Sequence, residues 1–269
     1  MLERSELLRE MGLAPLWQLR RSGARAQSDR SAADAVATGA SATDSIATDA
    51  VATGAREARI AALDLDTMLA DIAACMACPL CRTRHRTVPG IGDPHARWLF
   101  VGEAPGADED ARGEPFVGRA GRLLDNMLAA LGLARGRDVY IANVLKCRPP
   151  GNRTPAPLEV AACRPYLDRQ IELIAPTLIV ALGKVAAAAL LGTDQPVGAM
   201  RGRVHRYRGT ALIVTYHPAY LLRSATEKAR AWEDLLFARR KLRELTATDA
   251  AGDATAHAVA HAAGDATVG

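Results

Sequence analysis

Four short apolar runs punctuate the middle of the chain: RWLFVGE (97–103), VYIANVL (139–145), TLIVALG (177–183) and ALIVTY (211–216). Each is rich in β-branched residues and bounded by Gly, Pro or charged positions, as strands buried on both faces are. Apolar positions at helical spacing separate and follow them, over 120–133, 158–174, 184–191 and 227–245. The alternation predicts an α/β fold, a parallel sheet with helices on both faces. In such sheets ligand-handling residues gather beyond the carboxyl ends of the strands. GEAPG (Gly102–Gly106) follows the first run, Asn143 lies near the end of the second and His217 follows the fourth. All three fall on one edge.

The flanks read differently. Residues 1–21 carry a short amphipathic pattern (Leu7, Leu8, Met11, Leu13, Leu16, Trp17) broken by Gly12 and Pro15, suited to docking on the core or on a partner, or to a loosely held terminal helix. Residues 22–55 are mostly Ala, Thr, Ser, Gly and Asp, with DAVATGA at 34–40 and again at 49–55. Side chains this small bury too little area to offset chain entropy, which predicts a disordered linker. The tail, 246–269, repeats AGDAT and is expected to be disordered too; its His257 and His261 stand four apart without a supporting thiolate or carboxylate cluster. The folded domain is therefore expected over 56–245.

Charge sharpens this division. Of 34 Lys and Arg and 30 Asp and Glu, residues 1–55 hold six Arg and seven acids and 246–269 hold three Asp, leaving 28 basic against 20 acidic residues in 56–245. That excess suits a polyanionic partner, although an Arg-rich composition alone explains much of it. No stretch approaches the roughly 18–20 apolar residues of a membrane span, and MLERSELLREMG lacks an apolar signal core. Five cysteines without an export signal point to a reducing compartment, the cytoplasm, and to metal rather than disulfides.

Cys75 and Cys78 form a C-x2-C pair; Cys147 and Cys163 follow about 70 residues on. Four thiolates suit an iron–sulfur cluster or structural zinc, and spacing does not choose between them. Cys81 completes CMACPLC and is a spare ligand or an idle thiol. Glu103 in GEAPG can position a water or face a developing oxocarbenium ion; the turn alone would be weak evidence. In ADEDARG (107–113), Asp108 and Glu109 suit a helix N-terminus, and Asp110 is a candidate supporting acid. Phe116, in the Gly/Pro-rich EPFVGRAG loop, suits a stacking platform for an extruded base, or is a plain loop anchor. The Asn143 amide can pair with a ring N–H and its neighbouring carbonyl, the edge that separates uracil from cytosine, or simply satisfies backbone groups at a strand end. His217 can donate to a carbonyl oxygen as a base departs, or is a plain turn histidine. Tyr220, Leu221, Leu222 and Arg223 offer wedges and a cation for the gap left by a flipped nucleotide. The basic run Arg201, Arg203, His205, Arg206 and Arg208, with Lys184, is either a phosphate contact surface or a solvated hairpin.

The ordered set CMACPL, VGEAPG, GEPFVGRAG, YIANVLKCRPPGNRTP, EVAACRPYL and TYHPAYLLR, within about residues 68–243, closely resembles the family-4 uracil-DNA glycosylases, repair enzymes with a [4Fe-4S] cluster. The resemblance implies a three-layer α/β/α sandwich with a four-stranded parallel sheet. It implies cluster ligation by Cys75, Cys78, Cys147 and Cys163, leaving Cys81 aside. It places Glu103 at the water-positioning motif, with Ala104 and Pro105 beside the base, Phe116 at the stacking position, Asn143 at the uracil-reading position and His217 at the leaving base. Leu221, Leu222, Arg223 and Arg201 are then expected to contact DNA. The implied activity is monofunctional excision of uracil from single- or double-stranded DNA by a monomer. A covalently bonding relative carries a His in an inserted basic loop; the run from Lys146 through CRPPGNRTP has neither.

Overall fold

A computed structural model describes residues 54–264, and the side chains of residues 54–247. The amphipathic segment 1–21 and nearly all of the 22–55 linker lie outside the described residues. Residues 54–61 form helix α1 and Leu65–Ala74 helix α2, followed by a 3-10 turn at Pro79–Arg82. The strands are β1 (Ile91–Gly92), β2 (Trp98–Gly102), β3 (Val139–Asn143), β4 (Leu178–Leu182), β5 (His205–Tyr207) and β6 (Thr210–Thr215). The remaining helices are α3 (Ala107–Arg112), α4 (Arg119–Ala130), α5 (Pro157–Ile174), α6 (Lys184–Leu191), α7 (Val197–Met200), α8 (Pro218–Leu221) and α9 (Lys228–Gly264).

The strands form one sheet in the order β1-β3-β2-β4-β6-β5. Its centre, β3-β2-β4-β6, is parallel and consists of the four apolar runs. The expected four-stranded sheet is thus the core of a six-stranded one, extended by antiparallel edges β1 and β5. These edges are two and three residues long, and neither Ile-Gly nor His-Arg-Tyr carries an apolar alternation. β5 turns into β6 through Arg208 and Gly209, both at positive φ (45° and 87°), as a tight hairpin requires.

Alternate strand residues feed two cores. Trp98, Phe100, Ile141, Val180 and Ile213 face α4 and α9, meeting Leu124, Met127, Leu128, Trp232 and Leu235. Leu99, Val101, Ala142, Ile179 and Val214 face α5 and α6, meeting Leu167, Ile171, Ala187 and Leu190. Each fully buried Val, Leu, Ile, Phe or Met side chain among them contributes roughly 1.5–3 kcal/mol. The three-layer sandwich follows directly. A third cluster, built on Ile60, Met68, Ile72, Leu80, Leu145 and Tyr166, packs α1 and α2 against α5 and includes Cys147 and Cys163.

The last helix departs from the sequence expectation of a disordered tail: its backbone continues to Gly264. The stretch from 247 onward is dominated by Ala, the strongest helix former, and holds no Pro. Neighbours β2 and β4 send their outgoing chains to opposite faces, to α4 and α6. The crevice between such strands is where a ligand site forms.

Candidate active site and cysteine cavity

At the carboxyl edge of the sheet, β2 ends on Gly102 and the chain turns away through Glu103, Ala104 and Pro105. Val144 N–H donates to the Gly102 carbonyl (3.0 Å) and Leu145 N–H to that of Glu103 (3.1 Å), which ties the loops after β2 and β3 together. Residue 102 has room only for Gly: a Cβ there would meet Asn143 Oδ1 at 2.4 Å and Phe116 Cζ at 2.6 Å. The Asn143 amide and the Phe116 ring therefore converge on the same point. Asn143 is 2% exposed, and its Oδ1 has no hydrogen-bond partner among the described residues. An unpaired buried acceptor costs about 1–3 kcal/mol, so this oxygen is set for a donor from outside the protein.

His217 follows β6 and caps α8. Ala219 N–H donates to its Nδ1 (3.1 Å), and Pro218 takes the first helical position, where no N–H is needed. With Nδ1 accepting, the neutral ring carries its proton on Nε2. Burial, reinforced by the positive charge of Arg223, pushes the His217 pKa down to about 4. At neutral pH it is an uncharged donor. Its ring stacks on Phe116, with centroids 5.5 Å apart and planes 29° from parallel. Gly183, at φ 90°, lets β4 pass: a Cβ would lie 2.9 Å from His217 Cβ. Burial pushes the Glu103 carboxyl above its usual range.

These groups line one open cleft of about 1160 Å³, with Glu103, Phe116, Asn143, His217, Tyr220 and Arg223 on its walls. Ala104 and Pro105 line it too, and Pro149, Asn152 and Arg153 of the CRPPGNRTP loop close one side.

Two DNA-contact expectations need correction. Leu221 is fully buried in the α4/α9 core and cannot act as a wedge. The exposed tips beside it are Tyr220 (40%), stacked on Tyr216 at 5.4 Å, and Leu222 (41%). Successive side chains on one helical turn point about 100° apart, so one leucine of the pair turns in and the other out. Arg201 is an internal tie: its Nε donates to the buried Asp234 (3.0 Å), its Nη2 to Arg230 O (2.7 Å) and Glu233 (3.1 Å). The same holds along the basic run, where Arg208 pairs with Asp168 and Glu172 and Arg206 donates to Gly209 O. The hairpin reading fits that segment.

Glu109, which the sequence suggests as a helix-terminal acid, has a larger part. Its carboxylate accepts the N–H groups of Gly106 (3.0 Å), Val117 (3.1 Å) and Gly118 (3.2 Å), clipping the Glu103 loop to the Phe116 loop. No sequence signal distinguishes it from Asp108. Asp110 is buried and accepts the His85 N–H (2.9 Å), tying α3 to the segment before β1 rather than facing the cleft.

Cys75, Cys78, Cys147 and Cys163 line a separate cavity of about 340 Å³, and Cys81 is not on its wall. Burial pushes the Cys163 thiol up to about 12 and raises Cys147 and Cys78 as well. Such thiols stay protonated at neutral pH unless a metal displaces the proton. Donors already point at the sulfurs: Arg84 Nη1 at Cys147 (3.2 Å) and Lys146 N–H at Cys163 (3.3 Å). Arg84 also donates to Cys75 O (2.8 Å) and Ala73 O (3.0 Å), binding the two cysteine segments together. Among the described residues no three His, Cys, Asp or Glu side chains are arranged to hold a single metal ion.

The sequence model of the Uracil DNA glycosylase superfamily matches residues 89–236. A Type-4 uracil-DNA glycosylase of Archaeoglobus fulgidus is 47% identical over 166 residues, covering 59% of this chain and 83% of that protein. One of Thermotoga maritima is 48% identical over 158 residues, 58% of this chain and 82% of its own length. A Type-5 uracil-DNA glycosylase of Thermus thermophilus is 36% identical over 155 residues, covering 49% and 68%.

Proposed function

The chain belongs to the uracil-DNA glycosylase superfamily, in its type-4 branch, and from that premise we propose that it excises uracil from DNA by hydrolysing the N-glycosidic bond. The observation that carries this reading is the pairing of an orphaned Asn143 Oδ1 with a neutral His217 across one cleft. Uracil offers a ring N–H to Asn143 Oδ1 and a carbonyl to its NH2, whereas cytosine presents the reverse pattern there and leaves the oxygen unpaired. The base stacks on Phe116. As the C1′–N1 bond breaks, its electron pair leaves with uracil, and His217 Nε2–H stabilises the resulting anion without first having to lose a charge. Glu103, a stronger base for being partly desolvated, orients a water and takes up its proton as the oxygen bonds to C1′. Uracil and an abasic site result. In this reading Tyr220, Leu222 and Arg223 occupy and flank the gap in the DNA, supported by the exposure of Tyr220 and Leu222 and the position of Arg223 on the cleft wall.

We assign the four cysteines to a [4Fe-4S] cluster. A cluster takes one thiolate per iron and needs its sulfurs spread around a cavity, while zinc needs them gathered on one ion. Four thiols lining one cavity, on a chain of the type-4 branch, support the cluster. When bound it supplies a rigid crosslink, since hydrolysis moves no electrons between donor and acceptor. Cys147 and Cys163 bracket the segment that brings Pro149, Asn152 and Arg153 to the cleft, so that wall is anchored at both ends. We take the protein to be a monomer of the cytoplasm acting on single- or double-stranded DNA; no described helix is long and apolar enough to cross a membrane.

The test is a labelled oligonucleotide with one uracil, incubated with protein, treated with alkali and resolved on a denaturing gel beside a thymine control. Strand cleavage at uracil that requires alkali is expected. An uncut uracil strand overturns the assignment, and cleavage without alkali overturns its monofunctional part.

A further inference from the structure

Phe116 has a positive φ of 55°. A bulky residue in this left-handed region carries about 1–3 kcal/mol of strain and stays there only if its surroundings over-determine it. Three neighbours do so. Gly121, in the first turn of α4, lies against the Phe116 carbonyl so closely that a Cβ would stand 1.7 Å from its oxygen. Glu109 holds the backbone on one flank through the N–H groups of Val117 and Gly118. On the other flank Arg135, from the loop after α4, donates through Nη1 to Pro115 O (2.8 Å) and through Nη2 to Phe116 O (2.5 Å). Its Nε donates to Asp125 (2.5 Å), which aims the fork.

The ion pair with Asp125 is too exposed to matter much for stability, with side chains 24% and 46% accessible. Its geometry matters more. A planar guanidinium that engages two consecutive carbonyls restrains the rotation of the peptide between them, and so the direction in which Phe116 leaves the chain. That direction sets the ring's stack on His217.

Resting on the uracil-excision reading, we propose that Arg135 is a positioning residue for base excision: its fork on the Pro115 and Phe116 carbonyls holds the ring in the pose that receives the flipped uracil. Arg135 does not line the cleft, touches no substrate and acts through Phe116. Lysine would carry the same charge but cannot present two coplanar N–H groups to two carbonyls.

The full chain is assayed on a single-uracil oligonucleotide as wild type, Arg135→Met, Arg135→Lys, Phe116→Ala and the Met/Ala double variant, reading single-turnover rate, KM and thermal midpoint. Arg135→Met should lower kcat/KM about tenfold or more, since small misplacements of a reacting group are costly. Arg135→Lys should recover little, and the double variant should be no slower than Phe116→Ala alone. Multiplicative losses in the double variant, a wild-type rate for Arg135→Met, or full rescue by lysine would each overturn the proposal. Should Arg135→Met fail to fold, the Arg135→Lys cycle with Phe116→Ala makes the same comparison. A wild type that excises no uracil removes the excision reading and this inference together, whereas a normal wild type with additive variants removes only the inference.

Discussion

The base cleft and the cysteine cavity lie at neighbouring ends of the same loops and are built by opposite rules. In the cleft, key groups are left short of partners: Asn143 Oδ1 is unpaired, Glu103 is pushed up by burial alone, and His217 is kept neutral. In the cavity, sulfurs and flanking carbonyls are supplied with donors by Arg84 and the Lys146 backbone. Unmet polar capacity is what a binding and reacting site needs, because a ligand then completes it. Donors aimed at the sulfurs suit a structural site, because they hold its ligands in place without taking part in a reaction. The contrast predicts that cleft substitutions change rate with little effect on stability, and cavity substitutions the reverse.

The largest effect is expected for Glu103→Ala and His217→Ala, each lowering kcat by about 10²–10⁴-fold with uracil-DNA affinity largely kept. Gel-based single-turnover rates and a binding titration read both, and near-normal rates in the two variants would erase the distinction. The pH profile sharpens it. His217 stays neutral down to about pH 4, so excision should not fall through pH 6.5, where an ordinary histidine charges. The acid limb should instead come from Glu103, above the ordinary carboxylate range, and disappear in Glu103→Gln; a limb near 6.5 that survives this change would contradict it. For stability the sign is that of a lowered base. The unfolded chain protonates His217 near 6.5 and the folded one only near 4, so its contribution is full above about 6.5 and declines as pH falls toward 4.

Next in size, Cys163→Ser should lower the thermal midpoint and weaken binding of uracil-free DNA, while its single-turnover rate falls less than in either cleft variant. A rate loss equal to that of His217→Ala with an unchanged midpoint would place the cysteines in the chemistry. The smallest contrast lies within one dipeptide. Leu221→Ala should cost about 2–5 kcal/mol of stability as a buried truncation, whereas Leu222→Ala should leave the midpoint in place and slow excision from duplex DNA a fewfold, as loss of a wedge does. Equal thermal shifts would show that the two leucines are not divided in this way.

Much of this molecule was legible before any coordinates. Parallel strands covered on both faces must be apolar throughout, so β2, β3, β4 and β6 announce themselves, and the helices between them show their buried stripes. The edge strands did not, because β1 and β5 are too short and too polar for any periodicity to register. In the site, Glu103, Asn143 and His217 stand out because they sit where strands end, and Phe116 because a large aromatic interrupts a Gly/Pro-rich loop. Glu109 and Arg135 do not, because an acid among acids and an arginine among arginines carry no local mark of the backbone groups they will meet.

The sequence by itself therefore determined the order of elements, the chemical inventory at the sheet's carboxyl edge and the four thiols, since apolar periodicity and motif spacing are properties of neighbouring residues. Only the tertiary structure decided that Leu221 turns inward, that Arg201 is tied to Asp234, that His217 Nδ1 accepts the Ala219 N–H and that Phe116 is held left-handed. Several of these depend on groups brought together from distant parts of the chain, such as Arg201 on Asp234, 33 residues apart, and Arg135 on Phe116, 19 apart. Burial, pairing and protonation are set by what surrounds a side chain in space, and that is known only once the layers have packed.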